Sequence, residues 1–233
     1  MRKLIYLPTP RWTLAFVGAA VTIAAIVVAI TGPGEDNLAP TFGLTVPTWI
    51  ASVVIGVWVA GMEYGQKTMS RTLNRNPDRI RLFADKIAVG LIAVTVMTAV
   101  ATIVGTLLFG LASTGHDLTV PASEVLRVGF AGLAINLAVV IISMSLALLT
   151  RSMAGGIAVA FGFFFVIDSL LTEIPKVGKY MFSPVANVVS SRISGPGYES
   201  GGEIALGLAV MLTVAWVAAF ALAAGARFVR SDA

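Results

Sequence analysis

From Val128 to Leu171 the chain runs for 44 residues broken only at Arg151–Ser152. A straight helix of that length would reach about 66 Å, twice the ~30 Å hydrocarbon core of a bilayer. The run must therefore fold back on itself. Arg151, with Gly155 and Gly156 just after it, marks the turn and predicts an antiparallel helix pair. The rest of the chain has the same character. It is 57% hydrophobic and only 12% charged, with mean hydropathy +0.91. That is about half the charge of an ordinary soluble protein, so lipid is the expected solvent.

Stretches of roughly 20 apolar residues are long enough to span as helices. Six occur, at Trp12–Ile30, Phe42–Met62, Ile87–Ala112, Val128–Thr150, Met153–Leu171 and Ile204–Ala226. The runs are continuous rather than alternating, which excludes a β-barrel pattern and leaves helices, whose backbone is satisfied within each segment. The expected fold is an all-α, six-span single transmembrane domain covering 1–233. Arg2, Lys3 and Arg11 before the first span resemble a signal peptide. However, its apolar run of 19 exceeds an h-region and no convincing small-x-small cleavage site precedes Gly34.

An even span count places both termini on one side. With that side cytoplasmic, the inner segments hold twelve basic residues: Arg2, Lys3, Arg11, Lys67, Arg71, Arg75, Arg79, Arg81, Lys86, Arg151, Arg227 and Arg230. The outer segments hold four, Arg127, Lys176, Lys179 and Arg192. This bias sets the orientation and predicts a multi-pass protein of a cell membrane, expected to be a prokaryotic plasma membrane. The net charge of +4 is thus a topology signal, and no nucleic-acid partner is expected.

Nine residues between Glu63 and Lys86 are charged, whereas none is charged from there back to Asp36 or on to Asp117. Met62, Met69 and Leu73 share one helical face, and Lys67, Arg71 and Arg75 another. Glu63 precedes Lys67 by four residues, a favourable ion-pair spacing. Asn76-Pro77-Asp78 then reads as a new helix start, with Asn as cap and Pro at the first position. The segment is therefore an amphipathic elbow of helix, break and helix. Attraction of its arginines to anionic lipid explains the positive charges. It does not explain the acids or the defined break, which fit a docking surface for a cytosolic protein.

This segment resembles the first cytoplasmic loop of ABC-2-type permeases, the membrane subunits of ABC exporters. Glu63, Thr68, Leu73, the Asn76-Pro77 turn, Arg79 and Lys86 follow that family's order and nearly its spacing. Lys67 stands where the family has Gly. The short link between the fourth and fifth spans and the long outer segment before the sixth also fit. The resemblance implies an exporter permease driven by ABC-type ATPase subunits. The elbow residues Glu63, Lys67, Thr68, Arg71, Leu73, Arg75 and Arg79 would receive the ATPase. A homodimer, or a pair with a paralogous permease, would enclose the pathway. No G-x-x-x-x-G-K-[ST] loop occurs in the chain, so no cofactor is expected in it and ATP is assigned to the partner.

The second and fifth spans line the pathway in that family. Trp58, Phe161, Phe164, Phe165 and Asp168 are accordingly the candidates for pathway or outer gate, with an apolar or amphipathic solute. Small-x-x-x-small pairs such as Gly56/Ala60, Ala101/Gly105, Gly156/Ala160 and Ala219/Ala223 allow close helix approach, expected to be internal. Asp168 lies about 24 Å along the fifth span, near its outer end rather than at mid-membrane. A structural acid bonded to a loop is one reading of it and an outer gate the other. Ser183-Pro184 predicts the start of a short amphipathic outer helix, with Val185, Val188, Val189 and Ile193 on one face. It would be either a lid or an interfacial anchor. No enzyme is expected: there is no cysteine, His116 is the only histidine, and no catalytic or metal-binding constellation stands out. The rival functions are an ion-coupled carrier, which would use Asp168, and a non-transporting immunity or sensor subunit.

Overall fold

The computed structural model describes residues 38–66, 68–69, 78–112, 122–195 and 204–230. All of the regular structure among them is helical: α1 (Leu38–Gly65), α2 (Arg79–Ala112), α3 (Ala122–Thr150), α4 (Met153–Thr172), α5 (Phe182–Ser194) and α6 (Leu206–Arg230). Five of these, α1, α2, α3, α4 and α6, are long and apolar enough to cross a membrane. They correspond to the second to sixth expected spans, so the chain is a helical, membrane-embedded protein. The first expected span, Trp12–Ile30, lies outside the described residues, as do Lys67, Arg71, Leu73, Arg75, the Asn76-Pro77 break, His116 and both termini.

The centre of the bundle is α3, which touches each of the other five helices. From Ala138 to Leu148 every residue except Ile141 is buried. Its main partner is α1, whose Val53, Val57 and Ala60 are fully enclosed. The two helices meet most closely at Gly56. A Cβ there would lie 2.7 Å from the Val140 carbonyl oxygen and 3.0 Å from the Ser143 Cβ. Lipid tails are as apolar as the side chains, so helices associate in membranes through such close packing rather than through hydrophobic exclusion. A buried amide adds to it: Asn136 Nδ2 donates to Thr98 Oγ1 at 3.1 Å, joining α3 to α2.

The expected reversal at Arg151 is present. Thr150 closes α3, Arg151 takes a left-handed backbone (φ 52°), and Ser152 Oγ caps α4 by accepting from Gly155 N at 3.1 Å. Two residues thus turn the chain, and Gly156 packs back against Ala147 of α3.

Three of the four small-residue pairs are internal, since Gly56/Ala60, Ala101/Gly105 and Gly156/Ala160 are all buried. The fourth, Ala219/Ala223, faces outward. A leucine at Gly56 should force α1 and α3 apart, costing about 1–3 kcal/mol. Thermal unfolding in detergent, followed by tryptophan fluorescence, should show a clear drop for Gly56→Leu and almost none for Ala223→Leu.

Candidate functional site

The successive membrane-crossing helices alternate in direction, which brings charged residues from several elements to one end of the bundle. Here α1 ends, α2 begins, α3 turns into α4 and α6 stops. Glu63, in the last turn of α1, forms an ion pair with Lys86 in the second turn of α2, at Nζ–Oε2 2.6 Å. Both side chains are largely enclosed, at 16% and 7% exposure, and the Glu63 Oε2 atom is shielded from solvent. Sequence spacing pointed to Lys67 as a partner of Glu63, and Lys67 lies outside the described residues. The described partner is Lys86, which the fold brings across from the neighbouring helix.

That position of Lys86 follows from where α2 starts. Asp78 Oδ1 accepts from Arg81 N at 3.0 Å, so Asp78 is the cap and the helix opens at Arg79, two residues past the expected start at Pro77. At 34 residues, or about 51 Å, α2 carries its first turns well past a single hydrocarbon thickness. Those turns are pinned to the end of α6. Arg79 Nη1 donates to the Phe228 carbonyl at 3.4 Å, and the Phe83 and Phe228 rings lie 6.1 Å apart. Arg79, Arg151 and Arg227, from three separate elements, lie within electrostatic reach of Tyr64. Thr68 is half-buried and its N–H donates to the Glu63 carbonyl at 2.9 Å. Of the seven expected elbow residues, Glu63, Thr68 and Arg79 therefore meet at this end. Lys67, Arg71, Leu73 and Arg75 lie outside the described residues.

At the opposite end, Asp168 is 1% exposed. Its Oδ1 accepts from Phe182 N at 2.8 Å and its Oδ2 from Ser183 N at 3.0 Å. These are the orphan donors of the first turn of α5. Pro184 has no N–H, and Met181 N donates to the Gly178 carbonyl at 2.9 Å. One carboxylate from α4 thus completes the donor accounting of α5. The expected start at Ser183-Pro184 falls one residue late, and the cap comes from another helix rather than from Ser183. Just before Asp168, Gly162–Ile167 forms a π-helical segment, with Asp168 N bonded to the Phe163 carbonyl. Its wider turn shifts the register of the side chains that follow, Asp168 first among them.

The apolar face of α5, with Phe182, Val185, Ala186, Val188 and Val189, is buried, and the helix packs on α3 and α6. Asn187 and Arg192 point outward. The apolar side that an interfacial anchor would give to lipid is thus used inside the bundle.

The aromatic residues of the fifth span form a connected set at this end. Phe164 is buried and meets Trp49, Phe163 and Phe182 edge-on at 5.1–5.5 Å. Phe165 packs on Trp49 at 5.0 Å and stacks on Phe161 at 5.5 Å, leaving one side exposed. Phe163 continues the set to Phe220 and Trp216 of α6, and Trp216 Nε1 donates to the Tyr180 carbonyl. Trp58 is buried in the same core as Phe164 and Phe182. Phe182, Trp216 and Phe220 are the participants that sequence reasoning left out; Lys86 entered it through the family resemblance, not as the partner of Glu63.

Replacing Asp168 by Asn leaves a single carbonyl acceptor facing two N–H donors. The loss should be about 1–3 kcal/mol. Hydrogen exchange should quicken at 182–194 in Asp168→Asn while α1 and α3 keep their protection.

A profile of the DUF2705 family, described as a protein of unknown function, matches residues 13–233. No curated protein matches the chain significantly. With nearly its whole length covered by the profile, the chain belongs to the DUF2705 family.

Proposed function

We propose that this chain is the permease subunit of an ATP-driven ABC exporter, coupled to a separate ATPase through the elbow at 63–86. The observation that carries the reading is the Glu63–Lys86 ion pair. It ties the end of α1 to the start of α2 at the base of the elbow. A push on the elbow would then reach two membrane helices together instead of being lost in a loop. Truncating one partner of a buried pair costs about 3–5 kcal/mol, whereas apolar replacement of both is often neutral. Such pairs therefore serve to fix an arrangement more than to add stability. The pinning of Arg79 to the end of α6 extends that arrangement to a third helix. In this reading the elbow faces the cytoplasm, and the ATP state selects between two packings of the bundle.

The pathway in this proposal runs beside the aromatic set of α1 and α4, between two copies of the chain or this chain and a paralogue. Rings and aliphatic groups suit an apolar or amphipathic solute. The geometry of Asp168 counts against an ion-coupled carrier, because both carboxylate oxygens are occupied by backbone donors.

Co-expression with candidate ABC-type ATPases and reconstitution into vesicles tests the reading. The expected result is a co-purifying ATPase whose hydrolysis is stimulated by the permease. Charge reversal at Lys67, Arg71 and Arg79 should weaken association. Glu63→Gln should leave association in place but uncouple hydrolysis from solute flux by tenfold or more, equivalent to about 1.4 kcal/mol. The proposal fails if no ATPase associates and the charge reversals leave transport intact.

A further inference from the structure

The link between α4 and α5 presents apolar side chains outward although its backbone is firmly held. Ile174 is 44% exposed, Val177 47% and Tyr180 39%. The backbone is tied by Ile174 N to Leu171 O, Gly178 N to Ile174 O, Tyr180 N to Val177 O and Trp216 Nε1 to Tyr180 O, all at 2.8–3.1 Å. Gly178 sits so close to Thr172 that a Cβ would strike its carbonyl. These side chains are therefore held in place, not exposed by a loose loop.

What covers them follows from what lies next to them. On α4 the side chains of Val166, Ile167 and Leu170 are exposed along the membrane-crossing segment. Ile174 and Val177 carry on from that strip after the helix ends at Thr172, and Tyr180 closes it. A strip that begins in the hydrocarbon and resumes past the exposed Glu173 leads into the boundary of the same medium. The charged residues alternate with it: Lys176 and Lys179 are exposed, and the Lys179 ammonium lies 5.5 Å from the centre of the Tyr180 ring. An apolar stem with an ammonium tip, next to an amphipathic ring, is the chemistry of the layer between acyl chains and lipid phosphates.

We infer that residues 173–180 form a rigid foot seated in the lipid headgroup layer, with Ile174 and Val177 in the upper acyl region and Lys176 and Lys179 at lipid phosphates. The foot is bonded to α6 through Tyr180 and leads directly into the Asp168-capped start of α5. The lipid surface would thereby fix the height of α5 relative to the spans. This inference does not rest on the coupling reading.

The chain contains no cysteine, so a single Val177→Cys carries an environment-sensitive fluorophore at one site only. Asn187→Cys, on the outward polar side of α5, provides the aqueous reference. In vesicles of phosphatidylcholine with phosphatidylglycerol, the label at 177 should emit to the blue of that at 187. A spin label near the headgroup end of the acyl chain should quench it, with iodide quenching several-fold weaker than at 187. Ile174→Cys gives an independent second position. Lys176→Glu with Lys179→Glu should shrink the blue shift when phosphatidylglycerol is present and leave it nearly unchanged in phosphatidylcholine alone. Equal iodide quenching at 177 and 187 overturns the inference. Shielding of 177 from both iodide and the lipid spin label also overturns it, since a protein surface would then cover the foot.

Discussion

Everything in this bundle is arranged around the contact of α1 with α3. A membrane helix gains little by leaving lipid for another helix unless the two backbones come close or polar groups meet. Gly56 supplies the first condition, bringing α1 onto the Val140 carbonyl. The Asn136–Thr98 bond supplies the second for α2. Once α1 is seated on α3, the two-residue turn at Arg151–Ser152 leaves α4 nowhere to go but alongside both. The sixth helix is the least buried of the five, and its contacts are spread along it: Ala209 near its start, Trp216 and Phe220 at its middle, and Phe228, against Phe83 and Arg79 of α2, at its end.

Among the described residues the charged side chains lie at the two ends of the bundle and are used differently at each. At the charged end an ion pair joins two long helices across a sequence gap. At the other a carboxylate joins a long helix to a short one. Both groups sit where solvent is mostly excluded, and both are matched by partners, as low-dielectric surroundings demand. The functional reading rests on the first of these joints and the lipid-foot inference on the neighbourhood of the second.

The five described spans were legible because apolar run length is a direct physical requirement of a bilayer. The turn after Thr150 was legible because charge, serine and two glycines interrupted an otherwise unbroken run. What could not be read were partners set by tertiary placement. Nothing in local spacing shows that Lys86 would reach Glu63 from the adjacent helix. Ser183-Pro184 has the composition of a self-capped helix start, yet the cap lies fourteen residues earlier at Asp168. The π-helical turn at Gly162–Ile167 has no composition of its own, so the side-chain register after Phe161 was hidden. The outward position of Ala219 and Ala223 was equally hidden, because small residues permit close packing without requiring it.

The borrowed cap on α5 has a mechanical meaning. A helix capped by its own neighbour can swing as a unit, carrying its first turn with it. The first turn of α5 is instead bonded to both oxygens of a side chain rooted in α4, two bonds that resist twisting as well as separation. The corner between α4 and α5 is therefore stiff, and a displacement of either helix is shared by the other. The opposite end of α5 stops at Gly195, whose left-handed backbone (φ 101°) only glycine adopts readily.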